Sequence, residues 1–146
     1  MSKVDAFETD ILQLIFENED LAAIGDGTGL QGSSTPGSFY IALFTADPTD
    51  TGSVAAETVY TNYARVAVAR STAAWTVTND ECVNDAVITF AQCGATGATI
   101  THFGIMKAGT RDVADMIYHG QLTASRVLSN GITPEYAAGD LTITEG

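Results

Sequence analysis

Positive charge is what this sequence has least of: six Lys and Arg stand against eighteen Asp and Glu, for a net charge of -12. The six, Lys3, Arg65, Arg70, Lys107, Arg111 and Arg126, form no run. A nucleic-acid surface needs a phosphate-facing basic patch, so that class is excluded. Docking on an anionic membrane is disfavoured for the same reason. Charge of either sign is thin, at 16% of residues. The polar surface must then come from Thr, Ser, Asn, Gln and Gly, which suits strands better than long helices rich in Glu, Lys and Arg. No apolar run approaches the roughly 18 residues of a membrane span. Met1–Asp5 shows no basic start leading into a hydrophobic stretch, so no signal peptide is expected and synthesis in a cytoplasm is.

Cysteine is nearly absent too. Cys82 and Cys93, with ten residues between them, are too few for a disulfide scaffold. No CxxC or His pair accompanies them to suggest zinc. Reduced, half-buried thiols are the first reading and an oxidised loop staple the second.

What is present is a hydrophobic share of 45% in 146 residues, enough for a real core. Phe7, Ile11, Leu14 and Ile15 fall at i, i+4, i+7 and i+8, one apolar stripe of a helix. Asp5 and Glu8 sit where a helix start favours negative charge, and Gly25 is a natural stop. Residues 1–24 therefore read as a helical arm. Residues 25–37, GDGTGLQGSSTPG, read as a Gly/Ser/Thr linker. From Ser38 the pattern changes to about eight short strands divided by turn residues, so 38–146 reads as one β domain. Phe39–Thr45 is apolar on both faces, as a central strand would be. The fold class expected is mainly β: a small antiparallel β-sandwich, jelly-roll or Ig-like, preceded by a short N-terminal α-helix, with a small barrel as the alternative.

The search for chemistry returns little. There is no GxSxG elbow for a nucleophilic serine. His102 and His119 lie inside expected strands, where a hydrogen-bonded or exposed imidazole is ordinary. With Asp112 or Asp115 nearby in sequence they are the one candidate metal set. Asp47, Asp50 and Glu57 are a candidate calcium loop, but the spacing is not that of an EF-hand and Pro48 and Gly52 already explain a turn. Gly25, Gly27 and Gly29 follow a helix rather than a strand, which argues against a phosphate loop. Trp75, Tyr40, Tyr63 and Tyr118 could line a sugar surface, though strand aromatics more often belong to cores. The expectation is no catalytic residue, no cofactor and no bound metal.

The blocks DAFETDILQLIF (5–16), SFYIALFTADPTDTGS (38–53), YARVAVAR (63–70), WTVTN (75–79), AVITF (86–90), THFGI (101–105), YHGQLTAS (118–125) and SNGITPEYAAGDLTITE (129–145) occur in this order and spacing. In this the chain resembles a family of small tailed-phage structural proteins, often labelled tail-fibre proteins and sometimes found on capsid surfaces. The stretches 80–85 (DECVND) and 108–115 (AGTRDVAD) depart from the usual pattern and read as loops. The resemblance implies a virion protein without catalytic residues. Its partners would be the major capsid protein or tail and collar proteins. Capsid decoration or cement is the first reading, a short tail, collar or fibre component the second, and a carbohydrate-binding module the third. Surface subunits commonly occupy symmetry axes, so a homo-oligomer is expected, with a trimer as one form. The stripe Phe7, Ile11, Leu14 and Ile15 is the candidate interface.

Overall fold

The computed structural model describes residues 2–111 and 113–146. In chain order the elements are α1 (Asp5–Leu12), which continues into a wider π-helical turn (Gln13–Glu17), then β1 (Ser38–Phe44), β2 (Val66–Ala69), β3 (Trp75–Thr78), β4 (Glu81–Asn84), β5 (Ile88–Thr89), β6 (Ala98–Met106), β7 (Met116–Leu128), β8 (Glu135–Tyr136) and β9 (Thr142–Thr144). The fold class is mainly β, consistent with a small antiparallel β-sandwich led by one short helix.

The chain divides into two compact units, and not at the boundaries 1–24, 25–37 and 38–146. One unit holds Met1–Ser38, Ala69–Val87 and Tyr136–Gly146; the other holds Phe39–Val68 and Ile88–Glu135.

In the first unit the helical segment packs on β3 and β4. Leu12 and Phe16 are fully buried, and the Phe16 ring lies 4.9 Å from that of Trp75. At roughly 100° per residue, Glu8, Leu12 and Phe16 form a line along the helix, and that line is the buried one. Phe7, Ile11, Leu14 and Ile15 lie beside it and are half-buried. Arg70 closes the helix end, donating from Nε to Ile15 O (2.7 Å) and from Nη2 to Leu14 O (2.8 Å). These carbonyls belong to the last turn, where a helix has no backbone donors of its own. Glu17 accepts the Val77 N–H at 2.9 Å, and Thr9 donates to Asn79 O at 2.7 Å. The helix is thus tied into a compact unit by side chains and backbone alike.

The expected linker is hydrogen-bonded structure. Leu21 and Leu30 exchange both backbone bonds at 2.9 Å. Asn18 Oδ1 accepts the Ser33 N–H and Asp20 Oδ1 that of Gly32. Asp26 accepts the Thr28 hydroxyl and the Thr28 and Gly29 amides, which together hold its carboxyl below the usual range. Gly29 has φ +67°, and a Cβ there would collide with Leu21 O. The glycines of this stretch serve a tight approach of two chain segments as well as turns.

The sheet of this unit runs β3-β4-β9. Its central strand, β4, falls in the acidic stretch expected to be a loop. Cys82 and Asn84 are buried while Glu81 is exposed, so the acids mark the Asn79-Asp80 turn and the solvent face. Asn84 fastens the sheet, donating to Ala86 O and Ala137 O and accepting the Leu141 N–H.

The second unit is built on a four-stranded sheet, β2-β1-β6-β7. β1 lies inside it, as its two-sided apolar sequence requires, and pairs antiparallel with β6 from Tyr40↔Met106 to Phe44↔His102. One face carries the cluster Ala42, Phe44 and Met106, covered by Tyr40, Val54, Ala56 and Met116. β7 runs without a break from Met116 to Leu128.

Candidate functional site

The most developed polar constellation among the described residues lies in the second unit. Glu57 reaches it through the bridge Phe44↔Glu57, which brings the end of the 45–57 loop back beside β1. Arg65 immediately precedes β2. Both side chains have 0% exposure. Arg65 donates from Nε and Nη2 to the two carboxylate oxygens of Glu57 (2.9 and 2.8 Å), a two-pronged pair. Nη1 donates to Ala108 O (2.7 Å) and Asp115 Oδ1 (3.2 Å), and Nη2 also to Val113 O (3.1 Å). Every one of the five guanidinium hydrogens therefore has an acceptor. Tyr63 donates its hydroxyl proton to Glu57 Oε1 at 2.9 Å and accepts the Leu43 N–H at 3.1 Å. Arg111 reaches back to Thr58 O and Glu57 O.

The electrostatics follow from burial. Burial alone favours loss of the Arg65 proton, but Glu57 and Asp115 outweigh it and hold the guanidinium pKa above its usual value. Burial pushes the Tyr63 phenol upward, against the donated Leu43 N–H, and the Glu57 charge adds to the rise. Both stay protonated at neutral pH. Thr58 Oγ1 and Asp115 Oδ2 are buried with no hydrogen-bond partner among the described residues. The Arg65 guanidinium is saturated, and its Glu57 partner is sealed from solvent. The network pins the 107–115 loop, the 57–58 turn and β1 together. Removing one member of such a buried pair costs far more than the pair contributes net.

The sequence candidates fall as follows. Asp47 and Asp50 come to His119: Asp47 Oδ1 lies 3.7 Å from Nδ1 and Asp50 Oδ1 3.5 Å from Nε2. Glu57 does not join them, because it is locked to Arg65, so the calcium loop is not assembled. Asp115 is likewise held by Arg65 rather than by a histidine, and Asp112 lies outside the described residues. His102 stands opposite Gln121 and His119 opposite Gly104 on the β6–β7 ladder. Among the described residues no group of three or more His, Cys, Asp or Glu is arranged to hold a metal ion. Trp75 cannot line a sugar surface: it has 0% exposure, packs against Phe16 with the rings tilted by 59°, and donates its indole N–H to Ala69 O. Both cysteines are free and buried, and burial pushes the Cys82 thiol up to about 12. No helix among the described residues is long and apolar enough to cross a membrane.

Arg65 and Arg70 are the residues that pattern reading passed over. Their signal was available: both are charged residues set in the otherwise apolar YARVAVAR segment of a chain poor in charge.

The chain is mainly β, and its best-built polar cluster is a buried brace between loops. Over residues 7–144 it matches the family described as Podophage GP4 fiber I protein gp80, and the chain belongs to that family. No curated protein matches it.

Proposed function

We propose that the chain is a non-enzymatic subunit on the outside of a tailed-phage particle, of the fibre class. The family membership carries this reading, through the word fibre in the family's own description. The sealed Glu57–Arg65–Asp115 network supports it, since charged groups are spent on holding loops rather than on presenting a reactive group. Of the expected interface, the half-buried flank Phe7, Ile11, Leu14 and Ile15 remains open to a neighbouring virion protein, beside the line that faces β3 and β4.

Capsid decoration is the second reading. It is favoured by the absence of an internal repeat in the sequence, since a long shaft needs repeats. Quantitative mass spectrometry of the purified particle separates the two. Copy numbers of about a dozen or a few dozen fit tail or fibre positions, whereas hundreds fit the shell. Absence of the chain from purified particles would overturn both.

A further inference from the structure

β7 is the longest strand and the last in its sheet: on the side away from β6 no strand lies beside it among the described residues. Its second half is unusual. Thr123, Ala124, Ser125, Arg126 and Val127 are all exposed, and Val127 is 73% exposed. A strand with one covered face alternates between buried and exposed, so five exposed residues in a row mean that neither face is covered here. The ladder shows why: between the pairs His102↔Gln121 and Ile100↔Arg126, four residues, Leu122–Ser125, stand against Thr101 alone. The segment keeps extended backbone while losing most of its pairing to β6.

Bare edges of this kind recruit other strands unless Lys, Pro, inward charges or a bulge blunt them. Here the bulge is present, but the segment has no Lys, no Pro and no acid. The charge pattern names the occupant. No Asp or Glu occurs from Met116 to Pro134, in a chain with eighteen of them. Of the two units, the one containing β7 carries six acids and four bases, net -2; the other carries twelve acids and two bases, net -10. Two copies of so acidic a chain repel each other wherever their acidic units meet. The β7 edge is where like charge opposes contact least.

We infer that the outer edge of β7 pairs with the same edge of a second copy, antiparallel and about a two-fold axis centred on Ser125. In that frame Ser125 faces Ser125 of the second copy, and Val127 faces Thr123. Arg126 faces Ala124, so the two arginines are offset. Such a contact is isologous, each side giving and taking the same bonds. It is also small, so it is weak in free solution and gains when copies are held side by side. It is a two-fold closure, in place of the three-fold one expected from symmetry-axis positions, and does not depend on where the chain sits in a particle.

The test uses the full chain with Ser125→Cys, exposed to diamide at protein concentrations up to about 0.5 mM, where a Kd near 0.1 mM is visible. Antiparallel neighbours at the two-fold stand close enough to bridge. Rapid disulfide-linked dimer is expected, at least about tenfold faster than for Val4→Cys, a control with 68% exposure in the acidic unit. Adding Val127→Asp to Ser125→Cys is expected to slow linkage at least about tenfold, with the unfolding midpoint unchanged. Sedimentation of the unmodified chain should show weak dimer that strengthens with salt, as repulsion between acidic units is screened. Equal linkage of the two cysteine variants, linkage indifferent to Val127→Asp, or a strict monomer at every concentration and salt would overturn the inference. None of these outcomes touches the particle reading, which copy number in purified particles decides.

Discussion

The two units of this chain hold themselves together by different means. The first has a net charge of -10 and places its arginine, Arg70, on the open carbonyls of a helix end. Its interior is aromatic and aliphatic: Phe16 on Trp75, with Leu12, Cys82, Leu141 and Ile143 buried in the same unit. The second, at net -2, sinks one of its arginines, Arg65, among two carboxylates and saturates every donor of that guanidinium. One residue type thus does two jobs. In the acidic unit it satisfies backbone, and in the near-neutral unit it neutralises buried acid. Charge that is left over in the first unit stays at the surface, where it repels and is screened by salt. In the second, Glu57, Arg65 and Asp115 are spent on one another inside, while Asp47, Asp50, Lys107, Arg126 and Glu135 are exposed.

The largest effect separating the two should come from Arg65→Ala. It leaves Glu57 buried without its cation, a loss of about 3–5 kcal/mol. Denaturant unfolding measures it, and replacing Glu57 as well, as Glu57→Leu with Arg65→Met, should recover much of the loss. Next comes Phe16→Ala in the first unit, which empties the space against Trp75 and costs about 3–4 kcal/mol. A helix that merely dangled would lose almost nothing on this change. Arg70→Ala should cost about 1–3 kcal/mol, because two helix-end carbonyls lose their donors.

The smallest effect is a pH dependence in the first unit. Burial raises the pKa of Glu17 despite the bond it accepts from Val77. A raised folded-state value means that protonation favours the fold. That contribution is full below the unfolded value and is lost as pH rises through the folded one. Glu17→Gln keeps an acceptor for Val77 and removes the charge. Its unfolding midpoint should exceed that of the parent at neutral pH, and the gap should close as pH falls to about 4.

Much of the fold was legible in the sequence, and the failures have physical reasons. β1 read correctly because a strand covered on both faces is apolar throughout, as in FYIALF. β4 did not, because acids at its hairpin turn and solvent face hide the buried alternation of Cys82 and Asn84. The helix was found, but its buried line was placed one position away. Apolar residues occupy a wide arc, and what faces β3 is decided by Trp75, nearly sixty residues onward. Residues 25–37 look like a linker by composition. Their order comes from Asn18, Asp20, Asp26 and Leu21, through bonds that no local pattern records. The Arg65 network was hidden in the same way, since its members are spread from Leu43 to Asp115.

Native-state hydrogen exchange on the intact chain addresses the central claim, that the N-terminal helix is part of the core of an acidic unit and not an arm. The amides of Leu12–Glu17 should be protected to the same degree as those of Val77 and Cys82 in β3 and β4, since they open together. Exchange of Leu12–Glu17 at the rate of an unstructured peptide, with β3 and β4 still protected, would contradict it.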